Sequence, residues 1–188
     1  NPTAQGWQRV DGNWHYFVDG RASTGWFADR GTWYRLDEST GAMLTGWQKV
    51  DGRWYYMRSS GAVVTGWQSI DGTWYYFDGA GTMATGWIQD GGSWYYMNES
   101  GKMVSGWLRD GDAWYYMQPS GAMTVGWQSA GGSWYYFHDS GVMATGWIQD
   151  GGSWYYMNET GAMVTGTQVI DGRRATFTAS GRWTGYAS

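Results

Sequence analysis

The sequence predicts an all-β protein, a solenoid or superhelix of tandem β-hairpin repeats of about 20 residues each. One stretch recurs along the chain and is best seen at 46–57, which reads Gly-Trp-Gln-Lys-Val-Asp-Gly-Arg-Trp-Tyr-Tyr-Met. Sixteen of the 17 tryptophans occupy its two Trp positions. The chain also has 15 Tyr and 32 Gly but few Leu or Ile, so we expect burial to come from aromatic rings stacked between neighbouring repeats.

Each repeat carries the signature of a tight hairpin. Asp51-Gly52 is the dipeptide that a two-residue type I′ turn prefers, because both of its central residues need a positive φ. That turn predicts a register in which Trp47 opposes Tyr56, Lys49 opposes Trp54 and Val50 opposes Arg53. Because side chains alternate along a strand, Trp47, Trp54 and Tyr56 should share one face, with Tyr55 on the other.

The repeats follow one another in a regular order. Repeat 1 begins at Gly6 and repeat 2 at Gly25, and repeats 3 to 8 then follow at a strict spacing of twenty residues from Trp47 to Trp147. Linkers of the form Gly-x-Met-x-Thr-Gly-Trp join them. We expect a positive φ at the linker glycines where the chain turns into the next hairpin. These are Gly61, Gly81, Gly101, Gly121, Gly141 and Gly161.

The last unit departs from the pattern. Thr167 and Arg174 replace its two tryptophans, and Thr176 replaces its second tyrosine. Terminal repeats are usually atypical because one of their faces lacks a neighbour. Residues 1–188 are therefore interpreted as a single module, with hairpin repeats at 6–166 and a degenerate cap at 167–188. The aromatic residues expected to cover the last stacking surface are Phe177, Trp183 and Tyr186.

Composition argues against several functional classes. The formal net charge of −4 is dispersed, so we expect no nucleic-acid partner, and no apolar run approaches the ~20 residues that cross a bilayer. His15 and His138 lie far apart and no cysteine is present, so no metal site or cofactor is expected. No catalytic triad, carboxylate pair or phosphate loop stands out, which predicts a non-catalytic protein. The chain is interpreted as a mature fragment of a longer protein.

The pattern of Gly-Trp, then Trp-Tyr-Tyr, then Gly-x-Met-x-Thr-Gly-Trp resembles the choline-binding, or cell-wall-binding, repeat. That family occurs at the ends of pneumococcal and phage murein hydrolases and in surface adhesins. The resemblance extends over residues 6–166 with eight consecutive matches. It implies a left-handed superhelix of hairpins, with ligand sites between successive hairpins.

The resemblance also implies the composition of those sites. Two Trp of one repeat and an aromatic residue of the next form a box, and the linker Met packs beside it. We choose the second Tyr of each Trp-Tyr-Tyr run because it shares the tryptophan face. The resulting sets are Trp26, Trp33 and Tyr56; Trp47, Trp54 and Tyr76; Trp67, Trp74 and Tyr96; Trp87, Trp94 and Tyr116; Trp107, Trp114 and Tyr136; and Trp127, Trp134 and Tyr156.

Two further boxes depart from the family pattern. Trp7 and Trp14 would need Arg35, which a cationic ligand should reject unless Tyr34 takes its place. Trp147 and Trp154 would need Thr176, which leaves that box open. The first tyrosines of the runs are interpreted as packing between repeats, since they face away from the Trp pair. They are Tyr55, Tyr75, Tyr95, Tyr115 and Tyr135.

The chemistry of an aromatic box suits a quaternary ammonium group. Such a cation is weakly hydrated, and each desolvated ring face attracts it by roughly 0.5–2 kcal/mol. The expected partner is the choline or phosphocholine of (lipo)teichoic acids, bound by a secreted, cell-surface-associated module that anchors a larger protein. Many linked weak sites on one polymer gain avidity of order 10²–10⁴.

Two other interpretations remain open. Sugar rings also stack on Trp and Tyr, so a glucan or other carbohydrate is the alternative ligand, with Gln48, Gln68 and Gln128 as candidate polar contacts. A spacer without a small ligand ranks last, because exposed empty aromatic boxes favour aggregation.

Overall fold

The computed structural model describes residues 3–187, and within that range every regular element is a β-strand. In chain order the strands are β1 Gly6–Val10, β2 Asn13–Val18, β3 Arg21–Ala22, β4 Gly25–Asp29, β5 Thr32–Leu36, β6 Gly46–Val50, β7 Arg53–Met57, β8 Gly66–Ile70, β9 Thr73–Phe77, β10 Gly86–Asp90, β11 Ser93–Met97, β12 Gly106–Asp110, β13 Ala113–Met117, β14 Gly126–Ala130, β15 Ser133–Phe137, β16 Gly146–Asp150, β17 Ser153–Met157, β18 Gly166–Ile170, β19 Arg173–Phe177 and β20 Trp183–Tyr186. They pair as consecutive antiparallel hairpins, named here hairpins 1 to 9, from β1–β2, β4–β5 and β6–β7 onward to β18–β19. The all-β repeat fold is confirmed.

The predicted hairpin register is confirmed. In hairpin 3 the paired residues are Trp47 with Tyr56, Lys49 with Trp54, and Val50 with Arg53. Asp51 and Gly52 have φ values of 51° and 79°, as a type I′ turn requires. In hairpin 6 Gly111 has φ 61° while Asp112 has no positive φ, which is the arrangement of a type II′ turn.

The linkers join each hairpin to the one before it. Met83 in the linker after hairpin 4 forms a bridge with Phe77 of that hairpin. The backbone N–H of Met83 also donates to the carbonyl of Trp54 in hairpin 3, at 2.8 Å. The same bond recurs between Met143 and Trp114. Stacking of successive repeats therefore rests on backbone hydrogen bonds as well as on side chains.

The linker glycines allow this close stacking. All six predicted positions have φ between 83° and 88°. A Cβ at Gly61 would overlap the Met43 side chain of the preceding linker, and one at Gly161 would overlap Met143. Glycine is therefore required twice at these positions, for the backbone conformation and for the space.

In hairpins 2 to 8 the residue that follows the Trp-Tyr-Tyr position is almost completely buried. Residues at this position are at most 1% exposed in hairpins 2 to 8, whereas the Trp and Tyr rings around them are mostly partly buried or exposed. They are Leu36, Met57, Phe77, Met97, Met117, Phe137 and Met157. The expectation that stacked aromatic rings provide the burial is therefore incomplete, because these Leu, Met and Phe residues are the largest fully buried side chains.

The cap has its own architecture. Strand β20 adds to hairpin 9 as a third strand, with a register shift between Thr176 and Phe177. Ile170, Ala175 and Phe177 form a buried cluster against which Trp183 packs. The third strand thus covers the last hairpin where a further repeat would otherwise stack.

The chain divides into two compact units. The first comprises the chain up to Ile88 together with Met97–Met103, and the second comprises Gln89–Tyr96 together with the chain from Val104 onward. Across 3–187 no helix is long and apolar enough to span a bilayer, and no cluster of His, Cys, Asp or Glu has the arrangement of a metal site.

Candidate functional site: aromatic boxes

Each regular hairpin presents a cluster of three aromatic rings on one face. In hairpin 3 the ring centroids of Trp47 and Trp54 are 6.2 Å apart, and those of Trp47 and Tyr56 are 5.2 Å apart, both edge to face. Hairpin 6 repeats the arrangement, with 6.2 Å between Trp107 and Trp114. The shared tryptophan face predicted from strand alternation is therefore present, and the second tyrosine belongs to it.

The ring that the next hairpin supplies is the first tyrosine of its Trp-Tyr-Tyr run. Trp47 lies edge to face against Tyr75 with centroids 4.9 Å apart. The equivalent pairs are Trp26 with Tyr55 at 4.8 Å, Trp107 with Tyr135 at 4.7 Å, and Trp127 with Tyr155 at 4.9 Å. We call each set of two tryptophans and the tyrosine from the next hairpin a box, numbered by the hairpin that supplies the tryptophans.

This geometry corrects the choice of tyrosine made from sequence. Tyr56, Tyr76, Tyr136 and Tyr156 each contact the first Trp of their own hairpin, at 5.1–5.2 Å, instead of closing the preceding box. The reason is that side chains on the tryptophan face of a hairpin are directed toward the following hairpin, as the contact of Tyr116 with Phe137 shows. Only the opposite face, which carries the first Tyr, meets the preceding hairpin. The interpretation of these first tyrosines as packing residues therefore leaves out their place in the boxes.

Two of the predicted sets draw residues from both compact units. They are Trp67 and Trp74 with Tyr96, and Trp87 and Trp94 with Tyr116. Within their own units, Trp67 lies 5.1 Å from Tyr76 and Tyr116 lies 5.1 Å from Trp107. Boxes 4 and 5 stay predictions from the repeat pattern.

Both ends of the array form boxes despite the substitutions there. At the first box, Tyr34 lies 5.0 Å from Trp7, and a cleft of about 330 Å³ is lined by these rings with Trp14 and Met43. Tyr34 therefore completes box 1, although Arg35 is the residue that aligns with the second Tyr of the later repeats. The sequence had left open whether Tyr34 could take this role.

At the last box, Trp183 closes the site in place of Thr176. The centroids of Trp147 and Trp183 are 5.6 Å apart, and Tyr186 lies 5.1 Å from Trp183. A cleft of about 300 Å³ is lined by these three rings and Trp154. The expectation of an open last box is wrong, because strand β20 brings rings from outside the repeat pattern.

The boxes are open to solvent. The second Trp of each regular hairpin is 39–54% exposed, with Trp33 at the upper limit. The cleft at box 2, about 850 Å³, has a larger volume than those at the two ends, and it is lined by Val63 where the neighbouring linkers carry Met43 and Met83. Large exposed indoles arranged around a cleft form a surface that an apolar cation or a sugar ring can enter.

Carboxylates contact the first tryptophan of two boxes. The indole N–H of Trp7 donates to Asp29 at 3.1 Å, and that of Trp127 donates to Asp150 at 2.9 Å. Both aspartates end the first strand of the next hairpin and are half-buried. This position is Val50 in hairpin 3, Ile70 in hairpin 4 and Ala130 in hairpin 7, so the boxes differ in charge.

Cationic side chains contact rings of four other boxes. The guanidinium of Arg35 lies 5.2 Å from the Trp26 ring centroid and pairs with Glu38 at 2.8 Å. The remaining contacts are Lys49 with Trp54 at 5.8 Å, Arg109 with Trp114 at 5.9 Å, and Arg173 with Tyr186 at 3.5 Å. Sequence reasoning missed both kinds of charged contact, although cross-strand pairing of Lys49 with Trp54 and of Arg109 with Trp114 followed from the register.

The fold and the boxes define a class of protein: a tandem-repeat binding module whose sites lie between successive hairpins. The sequence profile of the choline-binding repeat matches the chain at 4–45, 44–85, 64–105, 84–125, 124–167 and 144–183. The chain therefore belongs to the choline-binding repeat family, and its aromatic clusters fit a choline-binding module.

Solved structures of Streptococcus pneumoniae proteins share the fold. CbpJ is 38% identical with a TM-score of 0.85, over 92% of this chain and 62% of that one. Choline-binding protein F, solved in the presence of a peptidoglycan analogue, is 38% identical with a TM-score of 0.81, over 91% and 61%. The choline-binding domain of CbpL is 29% identical with a TM-score of 0.74, over 99% and 100%. This chain thus spans about three fifths of the length of CbpJ and of choline-binding protein F, and no curated protein matches it.

Proposed function

We propose that this chain binds the choline groups of cell-surface teichoic acids in its aromatic boxes, and thereby holds a larger protein at the bacterial surface. The observation that carries the proposal is the recurring box itself. In box 3 the Trp47 ring lies edge to face against both Trp54 and Tyr75, and the second Trp of the set is 40% exposed. A trimethylammonium group needs such surfaces, because it has no hydrogen to donate and is attracted to the negative faces of π systems.

The residues in and around the boxes support a binding function. The cleft at box 8 is lined by the rings of Trp147, Trp154, Trp183 and Tyr186, which matches a ligand that is recognised by shape and charge. Among the described residues, the boxes hold no pairing of a nucleophile with a base. We therefore assign no catalytic step to this chain, and we infer that any enzymatic activity belongs to the protein that the module carries.

Repetition turns weak boxes into a strong attachment. A single box is expected to bind choline with a dissociation constant on the order of millimolar. Successive boxes are held in fixed order by the backbone bonds between linkers and hairpins, such as that from Met83 to Trp54. A polymer with many phosphocholine groups can occupy several boxes at once, which raises its avidity by about 10²–10⁴ over that of free choline.

A glycan is the second candidate ligand. Sugar rings stack on indoles through their C–H bonds, and the cleft of about 850 Å³ at box 2 adds the polar side chains of Thr32 and Thr65. Choline-binding protein F was solved in the presence of a tetrasaccharide-pentapeptide analogue. The two candidates differ in one property, since only the choline interaction depends on a positive charge.

Calorimetric titration with choline and with its neutral isostere 3,3-dimethyl-1-butanol tests the proposal. Saturable binding of choline at several equivalents, with at most weak binding of the alcohol, is the expected result. A parallel titration with an α-glucan oligosaccharide and with a peptidoglycan tetrasaccharide tests the alternative. Heat from a saccharide together with none from choline would overturn the proposal and assign the boxes to sugars.

A further inference from the structure

Charged contacts divide six boxes of this chain into two kinds. At boxes 1 and 7 a half-buried carboxylate accepts a hydrogen bond from the indole N–H of the first tryptophan. At boxes 2, 3, 6 and 8 a Lys or Arg side chain instead lies against one of the rings. Among the described residues, none of these six boxes has both kinds of contact. Arg9, which is opposite Trp14 in box 1, donates to the carbonyl of Gly12 at 3.3 Å.

We infer that the boxes form two affinity classes for a quaternary ammonium ion, set by these charged contacts. Asp29 and Asp150 make boxes 1 and 7 the tighter sites, and Arg35, Lys49, Arg109 and Arg173 make boxes 2, 3, 6 and 8 the weaker ones. This inference rests on the proposed function, because it assigns relative strengths to the same sites. It predicts that the array fills in a set order as choline density rises.

The carboxylates act in two ways on the same ring. A negative charge near the box attracts the ligand cation directly, and the half-buried position of Asp150 reduces the screening of that attraction. Accepting the indole N–H bond also increases electron density in the Trp127 ring, which deepens the negative potential on its face. Both effects favour a cation and leave a neutral ligand of the same shape nearly unaffected.

The cationic side chains act in the opposite sense. The Arg35 guanidinium already interacts with the Trp26 π system, so a ligand cation gains less from that ring and meets a like charge. Its ion pair with exposed Glu38 fixes it in place but only partly offsets the charge. Lys49 and Arg109 are exposed and more distant, so we expect their effect to be smaller.

Boxes 6 and 7 provide a matched pair for the test, because they belong to the same compact unit and have the same three ring types. Box 6 consists of Trp107, Trp114 and Tyr135 with Arg109 beside it, and Ala130 stands where box 7 has Asp150. Box 7 has Ser129 opposite its second tryptophan, where box 6 has Arg109. The charges can therefore be exchanged by substitution without altering a ring.

The experiment is a titration of the ¹⁵N-labelled full chain with choline, followed through the indole N–H resonances of Trp107 and Trp127. These signals are assigned from single Trp→Phe variants. In the natural sequence, Trp127 should reach half-saturation at about two- to fivefold lower choline than Trp107, which is the range expected for partly exposed charge pairs. High salt should narrow the difference.

Two variants, one double and one single, test whether the charged contacts cause the difference in affinity. Arg109→Ser with Ala130→Asp should shift the Trp107 midpoint to that of Trp127, and Asp150→Asn should weaken box 7 by about two- to fivefold. Asp150→Asn keeps an acceptor for the indole N–H, so retained folding is expected, and the Trp127 N–H chemical shift reports the bond directly. The same titrations with 3,3-dimethyl-1-butanol should show no difference between the boxes.

The outcomes separate the two levels of inference. If neither indole signal responds to choline, the proposed function fails. If both respond with equal midpoints, or if the ratio persists in the neutral alcohol, choline binding or box shape remains but the two charge-set classes are wrong.

Discussion

The indole of Trp47 and the phenol of Tyr75 meet edge to face with their centroids 4.9 Å apart, although 28 residues separate them in the chain. That contact joins hairpin 3 to hairpin 4 and completes a box. The residue to substitute in a test of choline binding is therefore the first tyrosine of each Trp-Tyr-Tyr run, and not the second.

Replacing Tyr75 with Leu should abolish binding at box 3. The substitution removes the ring that hairpin 4 places against Trp47 but keeps an apolar side chain in the half-buried position. Calorimetry should then report one fewer choline equivalent. Tyr75→Phe keeps the ring and should bind as the natural chain does, since the hydroxyl group is not part of the ring surface. An unchanged stoichiometry in Tyr75→Leu would show that Tyr75 does not contribute to a site.

Substitution of Gly161 should reveal the closeness of successive linkers. An alanine there meets both a positive φ of 86° and the Met143 side chain. We expect the free energy of unfolding to fall by about 2–4 kcal/mol, from strain and overlap together. Gly146→Ala is the matched control, because Gly146 also has a positive φ, 78°, but nothing lies within 4 Å of its added Cβ. Its cost should be about 1–2 kcal/mol.

Urea unfolding of both variants measures the difference. A second substitution, Met143→Ala, should recover part of the loss in Gly161→Ala and none in Gly146→Ala. If the two glycine variants lose the same free energy of unfolding, the Met143 side chain can move aside without cost and its overlap with the added Cβ has no energetic consequence.

The buried position after the Trp-Tyr-Tyr run is expected to require a large apolar side chain, but not one particular residue type. Phe137→Ala should lower the free energy of unfolding by about 3–5 kcal/mol, because the side chain is fully buried and leaves a cavity. Phe137→Met should cost less than about 1.5 kcal/mol, since Met57, Met97, Met117 and Met157 occupy the same position in other hairpins. Chemical denaturation of both variants measures these losses. If Phe137→Met lowers the free energy of unfolding as much as Phe137→Ala does, each hairpin requires its own residue at this position.

Asp37 predicts a specific dependence of stability on pH. Hydrogen bonds from the Ser39 hydroxyl, from the backbone of Thr40 and Ser39, and from the Thr40 hydroxyl lower the pKa of this carboxyl group from 3.8 to about 2. Because the folded pKa lies below the unfolded value, the unfolded chain binds the proton more readily between these pH values. The contribution of Asp37 is therefore complete above about pH 4 and lost as the pH falls toward 2.

Asp37→Asn isolates this contribution. Asn98 and Asn158 accept the same turn bonds in later linkers, so the amide should preserve the turn while removing the titration. The urea midpoint of the natural chain relative to the variant should fall between pH 4.5 and pH 2.5. A constant difference across that range would show that Asp37 titrates alike in the folded and unfolded states.

The features that lie within one repeat could be predicted from the sequence, whereas those that depend on how successive hairpins stack could not. Asp51-Gly52 and strand alternation fixed the hairpin register, because the turn and the pairing both lie within one repeat. The direction in which hairpins stack depends on bonds such as that from Met83 to Trp54, and it decides that Tyr75 and not Tyr76 meets Trp47. One missed feature did have a signal, since every regular repeat carries Leu, Met or Phe directly after its Trp-Tyr-Tyr position.

Trp183 gives the last prediction, at the end of the array. It packs against the buried cluster of Ile170, Ala175 and Phe177 and also lies 5.6 Å from Trp147, so it serves both the cap and box 8. Trp183→Leu should retain much of the apolar packing but lose one choline equivalent, whereas Trp183→Phe should retain the site. Calorimetry gives the stoichiometry, and thermal unfolding checks that the cap stays folded. If Trp183→Leu is folded and binds the same number of cholines, the cap only protects the end of the array, and the cleft that Trp183 lines with Trp147 and Trp154 is not a binding site.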